Sequence, residues 1–148
     1  MQRPLRWRFT AVLVTVLSCL LLSACSGKVK LHPVRGEVFY QGKPAEGATV
    51  VFHQDGSTDP NALKPSAVVG ADGSFTLSTY AEGDGAPAGE YVVAVVWFGK
   101  NAQPDTVTGE MRNRLPPIYG DPKSSPLRAT VNEGPNEIPP FKLPFKGK

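Results

Sequence analysis

The sequence predicts an all-β fold, an antiparallel β-sandwich of about seven short strands, following an N-terminal segment that is removed. Three observations predict it. Beyond residue 25 no stretch keeps the apolar spacing of a helix. Fifteen Gly and 15 Pro divide the 148 residues, and these residues punctuate strands and turns rather than helices. The runs between them are short, rich in Val, Phe and Tyr, and spaced as sandwich strands are.

The N-terminal segment comes first. Arg3, Arg6 and Arg8 precede an apolar run from Phe9 to Leu22, broken only by Thr10, Thr15, Ser18 and Cys19. A cationic start, a short apolar centre and small residues before a cleavage point define an export signal. The run is short of the ~20 apolar residues of a membrane span. Leu22-Ser23-Ala24-Cys25 resembles the lipobox of bacterial lipoproteins. That resemblance implies that residues 1–24 are a cleaved signal peptide and that Cys25 carries a diacylglyceryl group, often with a third acyl chain such as palmitate. Each buried CH₂ contributes about 0.8 kcal/mol, so one chain binds marginally and two or more anchor stably. The expected partner is therefore a membrane, the cell membrane or outer membrane, with the domain facing the periplasm or the cell exterior. Ser26 follows Cys25 where some lipoproteins carry an Asp that retains them at the inner membrane, which favours the outer one.

Cleavage changes the account of charge and thiols. The full chain carries a net charge of +3, and the three signal arginines supply all of it. The mature chain is neutral overall and has no basic run, so no nucleic-acid partner is expected. Of the two cysteines, Cys19 leaves with the signal and Cys25 is lipidated. No thiol remains for a disulfide, a metal or catalysis.

Residues 25–32 read as a lipidated tether. Val34 to Tyr40 alternates, with Val34, Gly36, Val38 and Tyr40 on one face. Gln41 to Pro44 is a turn, and Gly47 to His53 a second strand. Ser66 to Ala71 and Phe75 to Ser78 flank Asp72-Gly73, a hairpin signal of the type I′ kind. Tyr80 to Gly89 is rich in Gly, Ala and acidic residues; Glu90 to Phe98 is continuously apolar from Tyr91, as suits a central strand buried on both faces. Gly99 to Ser125 is long, polar and without period. Leu127 to Val131 is another strand. Glu137 to Leu143 is a last one, confined to an edge or bulge by Pro139 and Pro140. Residues 144–148 read as a frayed tail.

These residues carry a second likeness. Val34-x-Gly36-x-Val38, Gly42-x-Pro44-x-x-Gly47-Ala48-x-Val50-x-Phe52, Asp72-Gly73-Ser74-Phe75-x-Leu77 and Ala86-Pro87-Ala88-Gly89-Glu90-Tyr91-x-Val93 resemble carboxypeptidase regulatory-like and transthyretin-like domains. Leu115-Pro116-x-x-Tyr119, Ser125-Pro126-Leu127 and Gly134-x-Asn136 are similar to the later part of small lipoproteins of this kind. The resemblance spans residues 33–143 and implies a prealbumin-like Greek-key sandwich. Fold alone implies no activity.

Four functional classes are open to such a domain. The hydrolase branch of the transthyretin-like superfamily uses His, Arg and a C-terminal Tyr-Arg-Gly-Ser; here the last residues are Phe145-Lys146-Gly147-Lys148, and the histidines are His32 in the tether and His53 at a strand end. With no Cys and no nucleophile elbow, the expectation is a non-enzyme. Asp55 to Asp59 and Glu82 to Gly85 place carboxylates in Gly-containing loops, where calcium binds when the ligand count suffices; neither has that spacing, and solvated turns, with no metal or cofactor, are expected. Carbohydrate could stack on Trp97, Phe98 or Tyr119, unless the first two belong to the core. Protein partners could use the 99–125 segment, with Arg112, Arg114 and Tyr119 on a rigid scaffold. The leading expectation is a non-catalytic binding or structural module at the envelope, with an envelope protein or polysaccharide as ligand; carbohydrate binding through Trp97 and Tyr119 comes second, and a hydrolase third.

Overall fold

The computed structural model describes residues 29–99, 103, 104, 106 and 108–144. The expected signal peptide of residues 1–24, Cys25 and residues 145–148 of the expected tail lie outside them. Eleven strands form: β1 (Leu31–His32), β2 (Val34–Tyr40), β3 (Lys43–Pro44), β4 (Thr49–Gln54), β5 (Ser66–Val68), β6 (Ser74–Thr76), β7 (Ala86–Pro87), β8 (Gly89–Val96), β9 (Arg128–Val131), β10 (Asn136–Glu137) and β11 (Phe141–Leu143). One 3₁₀ turn, Pro117–Tyr119, interrupts the long connection before β9.

The strands make a β-sandwich. In one sheet β2 is central, flanked by β3 and β6 on one side and by β10 and β11 on the other. The other sheet has the order β5-β4-β8-β9. The chain passes between sheets at β2 to β4, β5 to β6, β6 to β8 and β9 to β10. All pairings are antiparallel except those of β10 and β11, which run parallel to β2. Pro139 and Pro140 separate β10 from β11 on this edge; neither ring has an N–H to give to a ladder.

The period-2 pattern sets the inward face. Val34 and Val38 of β2 meet Phe75, Leu77, Phe141 and Leu143 of their own sheet and Val50, Phe52, Val93, Val95 and Val131 of the other. Full burial of such side chains contributes about 1.5–3 kcal/mol each. Gly36 shares this face because the Phe75 ring lies on its α-carbon; a β-carbon there would stand 2.6 Å from Phe75 Cζ. β8 is buried on both faces, with Val92 at 7% and Ala94 at 4% exposure opposite the core-facing Tyr91, Val93 and Val95.

Two sequence expectations change, and one segment without a predicted form takes shape. His32 does not belong to a tether: it is 4% exposed, pairs with Ala86 through β1 and β7, and its Nδ1 accepts the Gly134 N–H at 2.8 Å. Asp72-Gly73 is not a type I′ turn, since only Gly73 has positive φ there. Asp72 instead accepts the Ser74 N–H at 2.9 Å and the Ser74 hydroxyl at 2.7 Å, and the turn leads from one sheet to the other. The turn with two positive φ values is Gln41-Gly42, at 54° and 75°, joining β2 to β3, and this is the signature of type I′. Finally, part of the 99–125 segment is ordered along β8. The Arg114 N–H donates to the Trp97 carbonyl at 2.7 Å, Asn113 Oδ1 accepts from Trp97 N–H at 3.0 Å, and the Ser125 hydroxyl donates to the Val93 carbonyl. These bonds cover the strand edge that β9 leaves open.

Candidate functional site

The strand directions define two poles. β2 starts beside β1 and ends at Tyr40; β8 starts beside β7 and ends at Val96. Eight residues of β8 at about 3.3 Å each separate the poles by roughly 25 Å. The proximal pole holds β1, β7 and the loops at 79–85 and 132–135. The distal pole holds the 41–42 and 45–48 turns, Trp97 to Gly99, and Asn113 and Arg114, which bond the Trp97 backbone.

The sequence candidates Trp97 and Arg114 come together at the distal pole. Trp97 continues the inward face of β8 and packs, partly buried, against the core. Its indole N–H donates to the Glu46 carbonyl at 2.9 Å. Tyr40 meets it edge-on, with centroids 6.0 Å apart at 76°. The Arg114 guanidinium lies 5.2 Å from the indole centroid, a cation–π contact worth about 0.5–1 kcal/mol at an exposed site. Gly99, at φ 85°, admits this guanidinium: a β-carbon there would stand 3.0 Å from Arg114 Cζ. Phe98, next to Trp97 in the chain, is exposed.

The other two candidates separate. Tyr119 is 5% exposed and belongs to the core, so its ring is not on offer as a stacking surface. Arg112 is exposed, and no described contact joins it to Trp97. Sequence reasoning missed Tyr40 and the Glu46 carbonyl. Nothing in the sequence signals them, because 57 and 51 residues separate them from Trp97, a spacing that only the β2–β3 hairpin and the turn into β4 bring together.

The remaining titratable groups are committed to turns and faces. The Asp84 carboxylate accepts the N–H groups of Thr79, Tyr80 and Ala81 at 2.6, 2.9 and 2.8 Å. Those amides, Thr79 first, hold it below the ordinary carboxylate value, against a smaller effect of desolvation. Asp59 accepts the Asn61 N–H at 2.9 Å. His53 lies on the outer face of the second sheet opposite Val92; burial first, and then the charge of Lys64, push its pKa down. The Tyr91 hydroxyl donates to the Pro87 carbonyl at 2.8 Å, and burial pushes its pKa up. Among the described residues no cluster of three His, Cys, Asp or Glu could hold a metal ion, and no buried side-chain polar atom lacks a partner. The distal cluster can do one thing chemically: present a cation and aromatic edges to a ligand.

The Asp84 cap carries a pH prediction. A carboxylate held low stabilises its turn fully above the unfolded value of 3.8, and that support is lost as pH falls from there through the folded value. Asp84→Asn is expected to speed amide hydrogen exchange at Thr79, Tyr80 and Ala81 at neutral pH. Unchanged protection at all three would show the cap to be irrelevant.

No known protein family and no curated protein matches this sequence. Solved structures similar to it include these two. A DUF3823 family protein from Parabacteroides merdae ATCC 43184 aligns with a TM-score of 0.40 at 18% identity, over 78% of this chain and 47% of that one. A 9R-lipoxygenase from Cyanothece PCC8801 aligns with a TM-score of 0.41 at 14% identity, over 89% of this chain and 20% of that one. The chain thus spans about half the length of the first and a fifth of the second.

Proposed function

We propose that this chain is an envelope lipoprotein, anchored through Cys25, whose β-sandwich is a non-catalytic binding module with its ligand surface at the distal pole. The observation that carries this reading is the placement of Trp97, Tyr40 and Arg114 at the pole opposite β1. An anchor at Cys25 holds the other pole, so the aromatic and cationic cluster faces away from the lipid. Its partner is an envelope protein or polysaccharide. Among the described residues no helix is long and apolar enough to cross a membrane, and the anchoring reading rests on the Leu22–Cys25 motif.

Cys25→Ala tests the anchor. The variant is expected to stay unprocessed at residue 24 and to lose the acyl mass, and any mature form should leave the membrane fraction. Normal processing with full membrane association would sink the reading. The partly buried Trp97 favours carbohydrate as the second reading. There Trp97→Ala should weaken binding to envelope polysaccharide by about 1–3 kcal/mol, or roughly 5- to 150-fold in Kd. Intact glycan binding in a folded Trp97→Ala protein would remove that reading and leave a protein partner.

A further inference from the structure

We infer that the proximal pole is a lipid-contact surface, seated on zwitterionic headgroups with Val29 and Tyr80 at the interface, so that the sandwich stands end-on to the membrane. This rests on the proposal that Cys25 is lipidated.

Chain length carries the first half of the argument. Only Ser26, Gly27 and Lys28 lie between Cys25 and Val29. Four residue steps reach at most about 14 Å, well short of the roughly 25 Å along β8. The anchor therefore keeps the proximal pole at the lipid and the distal pole off it.

The pole's surface carries the second half. Tyr80 is 66% exposed and Val29 46% exposed, although both follow from rigid local structure. The Asp84 carboxylate fixes the Tyr80 backbone, and β1 pairs with β7 just beyond Val29. An exposed Tyr, with an apolar ring and a polar tip, suits the headgroup layer. Lys30 sits beside Val29 and pairs with Glu133 at 3.9 Å. Glu82 adds negative charge to the same loop as Tyr80. A rim with both signs and an acidic excess fits a zwitterionic surface and not a strongly anionic one. By contrast, the outer face of the first sheet carries Arg35, Glu37, Glu137 and Lys142, which argues against lying on that side.

The absence of a free thiol in the lipidated chain makes the test direct. Tyr80→Cys, Lys43→Cys at the distal pole and Val68→Cys on the outer face of the second sheet would each be labelled with a bimane fluorophore. The labelled, processed proteins would be reconstituted into phosphatidylcholine vesicles containing a shallow nitroxide-bearing lipid. Quenching is expected to be at least twofold stronger at position 80 than at 43 or 68. Equal quenching at all three positions, or strongest quenching at 68 from a side-on pose, would overturn the proposal. Mass analysis and flotation of each protein separate the two readings. A chain that carries no acyl mass and does not float defeats the anchor, and the lipid contact with it; a chain that floats with the wrong quenching pattern defeats the lipid contact alone.

Discussion

Phe52→Ala is expected to lower the stability of the domain by about 3–5 kcal/mol, the range for deleting a buried Phe ring. Phe52 has no exposed surface and sits where the two sheets meet. Its ring is 6.4 Å from that of Phe75, on the first sheet, and 5.6 Å from that of Tyr91, on its own. Phe75 in turn stacks on Phe141 at 6.4 Å and 6°. Removing the Phe52 ring leaves a void inside a chain of four aromatics, and aromatic pairs contribute about 0.5–1.5 kcal/mol beyond their buried area. Domains of this size have about 5–15 kcal/mol in total. The thermal midpoint should therefore fall by more than about 10 °C, with Phe52→Leu costing far less. A drop below about 1 kcal/mol in denaturant titration would mean that the sheets close over the gap and that the cluster does not hold them together.

Phe52 also illustrates what was legible in the sequence. The sequence predicts the strand Gly47 to His53 that carries it, and the period-2 burial of β4 turns it inward. The same rule held for β2, whose bounds Val34–Tyr40 are those the sequence predicts. It held for β8 because an uninterrupted apolar run has one structural outlet in a sandwich, a strand between two neighbours. Local chemistry was less decisive at turns. Asp72-Gly73 and Gln41-Gly42 both carry Gly in second place; the difference lies in the Asp72 side chain, which bonds Ser74 and so stabilises a different turn. β1, β3 and β7 were not legible at all. Each is two residues long, and each exists because a longer strand or a partner segment passes beside it. The candidate site divides along the same line. Trp97 and Arg114 are rare, chemically distinct residues, and the structure joins them. The sequence places His32 in a tether and Tyr119 among the ligand-binding candidates, and tertiary packing buries both.

Gly85→Ala is expected to cost about 2–5 kcal/mol and to open the proximal pole selectively. Two effects combine. Gly85 has φ 91°, a conformation that strains a residue with a β-carbon by about 1–2 kcal/mol. The added methyl would also collide with the His32 carbonyl and stand 2.9 Å from Pro33 N. Both obstacles are backbone, which cannot rotate away as a side chain can, and overpacking of this kind costs about 1–3 kcal/mol. Gly83→Ala separates the terms. Its φ is 72°, and its nearest neighbour is Thr76 Cγ2 at 3.8 Å, so it carries the strain without the collision. What yields at Gly85 is fixed by the bonds around it. The Gly85 N–H donates to the Leu77 carbonyl at 3.0 Å, and its carbonyl accepts the Thr79 hydroxyl at 2.6 Å. Displacing it pushes β1 off β7 and draws His32 from the Gly134 N–H. Hydrogen exchange should accelerate at residues 31, 32, 79–86 and 134 while the β4–β8 ladder stays protected. Equal destabilisation by Gly83→Ala and Gly85→Ala would show that the His32 contact relaxes freely. If the collision counts, the variant also loosens the platform that presents Tyr80, and a bimane at position 80 should then lose its quenching advantage although Cys25 still holds the chain on the vesicle.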